Sequence, residues 1–360
     1  MNFKTVALLA VVLAVTFYFA DATEVSFDRD IRPILSDNCF HCHGPDAQER
    51  KAKLRLDTRS GALADLGGYS SVAPGDPAKS ELFLRISSDD PEEKMPPHDS
   101  NRNLSKKEID LLKQWIAEGA KWKGHWTFEP IVRPPVDDKE RHPIDVLVDF
   151  RLNKQNFKAN PRANWETLVR RLKLDLTGLP PTTEQIEAFL ADEKPGAWER
   201  LVDRTLGSSA YGERMAWDWL EAARYADTNG YQGDRERTMW PWRDWVVKAF
   251  NDNLPYDKFT IWQLAGDLLP DATQEQILAT GFNRNHMING EGGRIAEENR
   301  VEYVFDMTET MGTVWMGLTL NCARCHDHKF DPLLQSEYYQ FNAFFNQTPA
   351  NGGGGDPFTK

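Results

Sequence analysis

The chain opens on an uninterrupted apolar run, Val6 to Ala20, and then alternates stretches of helical spacing with polar, turn-rich ones. Ser26 to Asn38 predicts a helix whose Ile31, Ile34 and Leu35 share one face and which delivers the chain into Cys39. Residues 44–104, rich in Gly, Pro, Asp and Ser, read as loop with one helical stretch around Ser80 to Ile86. Ser105 to Ala120 predicts the clearest helix. Ser105 and Glu108 form a capping box, Ile109, Leu112, Trp115 and Ile116 make an apolar stripe, and Gly119 marks the stop. His125 to Asp138 has prolines and no periodicity, which is the pattern of a linker. Helical spacing then predicts Ile144–Leu152, Trp165–Leu176, Thr183–Leu190, Trp198–Leu206, Tyr211–Tyr225, Pro241–Asn251, Thr260–Ala265, Gln274–Thr280 and Ala296–Met316. No strand pattern and no internal repeat stands out. The expected fold class is all-α, in two unequal domains: 23–124 and 143–348, joined by a linker at 125–142 and followed by a flexible, glycine-rich tail at 349–360.

The apolar run changes the picture of the amino end. Lys4 precedes it, and Ala20-Asp21-Ala22 places small residues where a signal peptidase reads, so residues 1–22 are expected to be a cleaved signal peptide. The run is shorter than the roughly 20 apolar residues that span a bilayer, and no later stretch is apolar enough. The mature chain is therefore expected to be exported or periplasmic, with no membrane span. A net charge of −12 with no basic stripe argues against a nucleic-acid partner and weakly against docking on anionic lipid.

All four cysteines fall in two Cys-x-x-Cys-His strings, Cys39-Phe-His-Cys42-His43 and Cys322-Ala-Arg-Cys325-His326. Each thiol of such a string can add across one haem vinyl group, giving a thioether, and the adjacent imidazole then lies beneath the iron. Zinc would need two cysteine pairs close in space, whereas these lie in different predicted domains. A redox-active Cys-x-x-Cys expects a thioredoxin-like context that is absent, and disulfides would leave both histidines unexplained. Two covalent haems of c type are expected, through Cys39 and Cys42 and through Cys322 and Cys325, with His43 and His326 as proximal ligands.

For the first haem Met95, in Lys94-Met95-Pro96-Pro97, is the favoured sixth ligand; a thioether donor raises the reduction potential. His98 and His41 are weaker candidates. The second haem stays open between His286, the methionines Met307, Met311 and Met316, and an iron with a vacant or water-bound position. Met307, Met311, Val314, Trp315 and Leu318 share a helix face, which is more often core than ligand. Asp327, His328 and Asp331 follow the second string directly. They suit a carboxylate or carbonyl holding the proximal imidazole, a separate metal site, or simply a polar turn. Trp217, Trp219, Trp240, Trp242 and Trp245 crowd one region, as haem-shielding rings or as ordinary core.

Residues 25 to 123 resemble the planctomycete cytochrome c domain. The resemblance rests on Phe27 to His43, Lys53-Leu54-Arg55-Leu56-Asp57, Pro74-Gly75-Asp76-Pro77, Ser80-Glu81-Leu82, Lys94 to Pro97, and Leu112 to Gly119. Residues 143 to about 346 are similar to the domain of unknown function that commonly follows it, through Leu176 to Pro181, Tyr211 to Arg214, Arg224 to Asn229, Leu264 to Asp267, Gly281 to Asn285 and Cys322 to Pro332. The resemblance implies a haem protein, supports Cys39, Cys42, His43 and Met95 as the first site, and names no distal ligand for the second. Relatives usually continue into a further large domain, so the chain is expected either to be a fragment of a longer protein or to dock with a separate partner of that type, beside redox partner proteins. The leading expectation is an electron carrier. The alternatives are a dihaem peroxidase-like oxidoreductase with an open second haem, and a haem-containing interaction module for a downstream domain or partner.

Overall fold

The computed structural model describes residues 25–122, 130–136, 138, 140–231, 233–329, 331–349 and 352–353. The expected signal peptide, part of the expected linker and most of the expected tail lie outside the described residues. The chain divides into two compact units. One runs to Arg133 and also takes in Asp327–Leu334; the other holds Pro134–His326 and the residues from Gln335 onward. Among the described residues there is no strand, only isolated bridges such as Thr228 with Glu236, and no helix is long and apolar enough to cross a membrane.

In the first unit a π-helical turn, Phe27–Ile31, runs into α1, Arg32–Asn38. Short helices follow: α2 at Phe40–His43, α3 at Arg59–Ala62 and α4 at Glu81–Ile86. The longest is α5, Lys106–Ala117, which starts at the capping box anticipated from Ser105 and Glu108. Such a cap satisfies two amides that would otherwise be orphaned, worth about 1 kcal/mol. The stripe on α5 buries Leu112, Trp115 and Ile116 against Phe27, Ile31 and Leu35. Phe27 stacks on Trp122 with centroids 3.9 Å apart. The long polar stretch between α3 and α5 is held from within: fully buried Ser80 accepts from the Ala73 amide at 2.9 Å and donates to the Asp76 carbonyl at 2.9 Å. Buried hydroxyls need such partners, and here they replace secondary structure.

The second unit contains α6 Pro143–Lys154, α7 Trp165–Thr177, α8 Thr183–Leu190, α9 Ala197–Leu206 and α10 Ser209–Ala222. It continues with α11 Trp240–Asn251, α12 Tyr256–Ala265, α13 Gln274–Ala279, α14 Ala296–Met316 and α15 Gln335–Phe345. α10 packs on α11 and α7, and α15 packs on α14. Trp242, Trp245, Val246, Phe259 and Phe282 form the main core with Trp219 and Trp315 at its edge. The tryptophan-rich stretch is thus core at 242 and 245, whereas Trp217 and Trp240 are exposed. A close approach fixes Gly281: a Cβ there would meet the Trp242 ring at 2.8 Å. α10 ends three residues before the apolar spacing would end it, because Arg224 adopts a left-handed φ of 61° that turns the chain away. Of the expected loose tail, Gly352 is buried, its carbonyl facing Asn299 Nδ2 at 3.4 Å.

Candidate haem attachment sites

The first string occupies one helical turn. The Cys42 and His43 amides both donate to the Cys39 carbonyl, at 3.1 and 2.8 Å, so Cys39 at the N-cap of α2 lies one turn from Cys42 and His43. Both thiols are free. Gly44 then turns the chain out, since a Cβ at that position would stand 2.1 Å from the Phe40 carbonyl oxygen. The following loop returns to brace the turn. The Lys51 amide donates to the Cys42 carbonyl at 2.7 Å and the Leu56 amide to the His43 carbonyl at 2.8 Å. Arg50 Nε and Nη2 donate to the carbonyls of Gly44 and Pro45, at 2.9 and 2.6 Å.

Cys39 is buried in the core beside Leu35, and burial pushes its thiol up to about 12, so it stays protonated in the folded chain at neutral pH. Burial also lowers the His43 pKa, which keeps the imidazole neutral as a metal donor requires. Its Nδ1 is buried and has no hydrogen-bond partner. Met95 packs against the same core as Cys39 and is held by its amide, which donates to the Arg85 carbonyl at 3.1 Å. His41 and His98 are exposed. Two free thiols one turn apart, a neutral half-buried imidazole with an unfilled ring nitrogen, and a thioether on the same apolar core fit covalent haem with a His/Met pair.

The second string repeats the backbone pattern. The Cys325 and His326 amides both reach the Cys322 carbonyl at 3.3 Å, through a 3₁₀ turn at Asn321–Arg324. Here Cys322, Cys325 and His326 are exposed. Anchoring comes from side chains instead. Gly317, left-handed at φ 65°, stops α14 and turns the chain back along it. Asn321 Nδ2 donates to Glu309 at 2.7 Å. Arg324 pairs with Glu302, lies over the Phe305 ring, and its carbonyl accepts from Tyr339 Oη at 3.0 Å. The second string shares the residue types and backbone spacing of the first but lacks its apolar surround.

His286 is buried in the second unit. Its Nδ1 lies 3.0 Å from the Met287 carbonyl and its ring stacks on Tyr303 with centroids 4.4 Å apart. Burial and the neighbouring guanidiniums of Arg224, Arg237 and Arg284 lower its pKa to about 4, so it is neutral. The Met287 contact leaves Nε2 as the nitrogen with a lone pair. Met307 is buried core, and Met316 is exposed at the end of α14. The residues after the second string form a polar turn grouped with the first unit. The Asp331 amide donates to His328 Nδ1 at 2.8 Å, the His328 amide to the Leu333 carbonyl at 2.8 Å, and Ser36 Oγ to the Lys329 carbonyl at 3.3 Å. Among the described residues no three His, Cys, Asp or Glu side chains converge as a metal-holding group.

Sequence reasoning did not single out Arg224, Asn229, Asn285 and Asp306 as polar groups of the second unit's interior. Only the fold pairs Arg224 with Asp306 and buries Asn229 and Asn285, and Arg224 to Asn229 and Gly281 to Asn285 were noticed solely as stretches of family resemblance.

Comparison with known families bears on both units. Residues 143–350 match the family described as a protein of unknown function, DUF1549, and residues 39–99 match planctomycete cytochrome c. No curated protein and no solved structure matches the chain.

Proposed function

The chain belongs to the DUF1549 family, with a planctomycete cytochrome c domain ahead of that region, and from this premise we propose that it is an exported dihaem c-type cytochrome passing electrons between redox partner proteins. The observation that carries the reading is the first attachment turn, with free thiols at Cys39, the N-cap of α2, and at Cys42, a neutral imidazole at His43, and Met95 packed on the core that buries Cys39. Bound at such a turn, haem supplies a one-electron iron couple. The chain's own residues do the rest. Cys39 and Cys42 would hold the group covalently and His43 and Met95 would donate to its iron, while the braced loop from Gly44 to Leu56 holds the imidazole's backbone in place.

For the second haem, Cys322 and Cys325 provide the thioethers and His326 the proximal imidazole. Among the described histidines of the second unit, His142 accepts from the Ile144 amide at 3.3 Å to cap α6, which leaves His286 as the imidazole for a distal position. A second reading, an oxidoreductase whose second iron keeps an open position, draws on the exposure of Cys322, Cys325 and His326.

The mass of the mature protein, made in a host that matures c-type cytochromes, is expected to exceed the polypeptide by two haems, with no alkylatable thiol. A colourless protein with four reactive thiols would overturn the whole reading, and a one-haem mass would overturn its second half. Carbon monoxide added to the reduced protein separates the two readings. An unchanged spectrum supports the electron carrier, and a carbonyl complex supports the open second iron.

A further inference from the structure

The interior of the second unit holds a group of polar side chains that neither attachment string uses. Arg224 Nη2 is ion-paired with Asp306 Oδ1 at 2.7 Å, while Arg224 Nε and Nη1 are buried without a hydrogen-bond partner. Asn285 is 1% exposed, and both its Oδ1 and Nδ2 are unpartnered. Asn229 is 7% exposed with an unpartnered Oδ1.

Arg224 and Asn229 lie on one stretch of chain and Asn285 on a second, with Asp306 on α14. Arg237 ties them, donating through Nε to the Ala226 carbonyl at 3.0 Å, through Nη1 to the His286 carbonyl at 2.7 Å and through Nη2 to the Asn285 carbonyl at 3.1 Å. The Ile288 amide donates to the Asn229 carbonyl at 3.0 Å. Asp306 on α14 feels both Arg224 and Arg237, and His286 feels Arg224, Arg237 and Arg284. The neighbourhood is therefore rich in positive charge, in a chain whose net charge is −12.

Buried polar atoms are normally satisfied, and two unfilled guanidinium nitrogens beside two unfilled side-chain amides require an explanation. The unfilled groups are of two kinds. Arg224 offers a planar fork of donors, the geometry that matches a carboxylate. The Asn229 and Asn285 side-chain oxygens are acceptors, which only a donor such as a hydroxyl can fill. A plain carboxylate would leave the amide oxygens unmet, and a neutral sugar would leave the guanidinium unmet.

We propose that Arg224, Asn229, Asn285 and Asp306 form a binding site for a hydroxy acid, with its carboxylate on Arg224 and its hydroxyl groups on the two asparagines. Asp306 holds the far edge of the guanidinium and so orients the fork toward the ligand. The Arg224 and Asp306 side chains are 25% and 31% exposed, which gives the site a rim at the surface. None of the four residues belongs to either attachment string, and Asn285 adjoins His286, the imidazole proposed for the second haem.

Titration calorimetry on the full, haem-loaded chain tests it, with glycolate and D-glucuronate as probes and acetate and D-glucose as controls. Glycolate and glucuronate are expected to bind roughly tenfold or more tighter than acetate, for at least one added hydrogen bond, with no heat from glucose. Arg224→Gln is expected to abolish binding. Asn285→Asp, nearly the same shape with an added negative charge, is expected to weaken it by a similar factor and carries the test if Arg224→Gln does not fold, as judged by thermal melting. No heat from either hydroxy acid overturns the proposal, and so does acetate binding as tightly as glycolate, glucose binding as tightly as glucuronate, or unaltered affinity in both variants.

Discussion

The Arg324 guanidinium lies 3.8 Å from the centre of the Phe305 ring, which makes the residue between the two thiols of the second string the one that fastens that string to α14. It also pairs with Glu302 one turn earlier on the same helix. Arg324→Ala removes a cation–π contact and a half-exposed ion pair together, an expected loss of about 1–2 kcal/mol. The melting temperature should fall by a few degrees, and the mass spectrum should show a larger share of chains lacking the second haem while the first is retained. Unchanged haem content would show that the string is positioned without this anchor.

Gly44 carries the corresponding burden at the first string. The clash a Cβ would make is with the Phe40 carbonyl, a backbone atom of α2 itself, so no side chain can move aside to relieve it. Gly44→Ala should cost about 2–4 kcal/mol, in the range of enforced backbone rearrangements. Denaturant unfolding of the first unit and the yield of haem at Cys39 and Cys42 are both expected to fall. Wild-type stability in Gly44→Ala would show that the turn opens freely.

How far the sequence alone foretold these sites depends on how local their causes are. Ala296–Met316 was readable to the residue, because the segment is long and Gly317 closes it with a left-handed cap. The capping boxes at Ser105, Thr182 and Thr273 are each set by residues three apart. α15 was missed. Its Gln335–Phe345 run is crowded with Tyr and Phe, which have modest helix propensity and blur the apolar spacing, and its packing on α14 decides the matter. The two Cys-x-x-Cys-His strings could be read as candidates because cysteine chemistry demands a fixed spacing, and each lies on a single turn set by bonds three and four residues apart. The grouping of Asp327–Leu334 with the first unit was not, since it depends on contacts such as Ser36 with Lys329 across most of the chain. Nor could isolated letters reveal that Arg224 and Asn285 end up buried.

Met95 shares its core with Cys39, and its expected role makes a spectroscopic prediction. Met95→Ala should abolish the near-infrared thioether–iron band and lower the first haem's reduction potential, because a thioether favours ferrous iron. Met95→His should restore a six-coordinate spectrum at a lower potential than the parent. Redox titration of the three proteins checks both steps. An intact thioether band in Met95→Ala would assign the ligand elsewhere.

Glu309 offers a test of the region beneath the second string by pH. Its carboxylate accepts from Asn321 Nδ2 at 2.7 Å and from Tyr338 Oη at 3.1 Å. Burial raises its pKa above the ordinary 4.5, helped by Asp306 and Glu302 and opposed by the Tyr338 hydrogen bond and Arg324. A carboxyl whose pKa is higher folded than unfolded binds more protons in the native state. Its contribution to stability is therefore complete below the unfolded value and is lost as pH rises through the folded one. Glu309→Gln cannot titrate, so it removes this slope. It also trades one accepted hydrogen bond for a mismatched amide, an offset that is the same at every pH. The melting temperature of Glu309→Gln relative to the parent should thus climb as pH is raised from about 4 toward about 7, whatever its starting level. A difference that stays flat, or that falls with pH, would mean the Asn321 and Tyr338 hydrogen bonds outweigh burial and hold Glu309 ionised in the native protein.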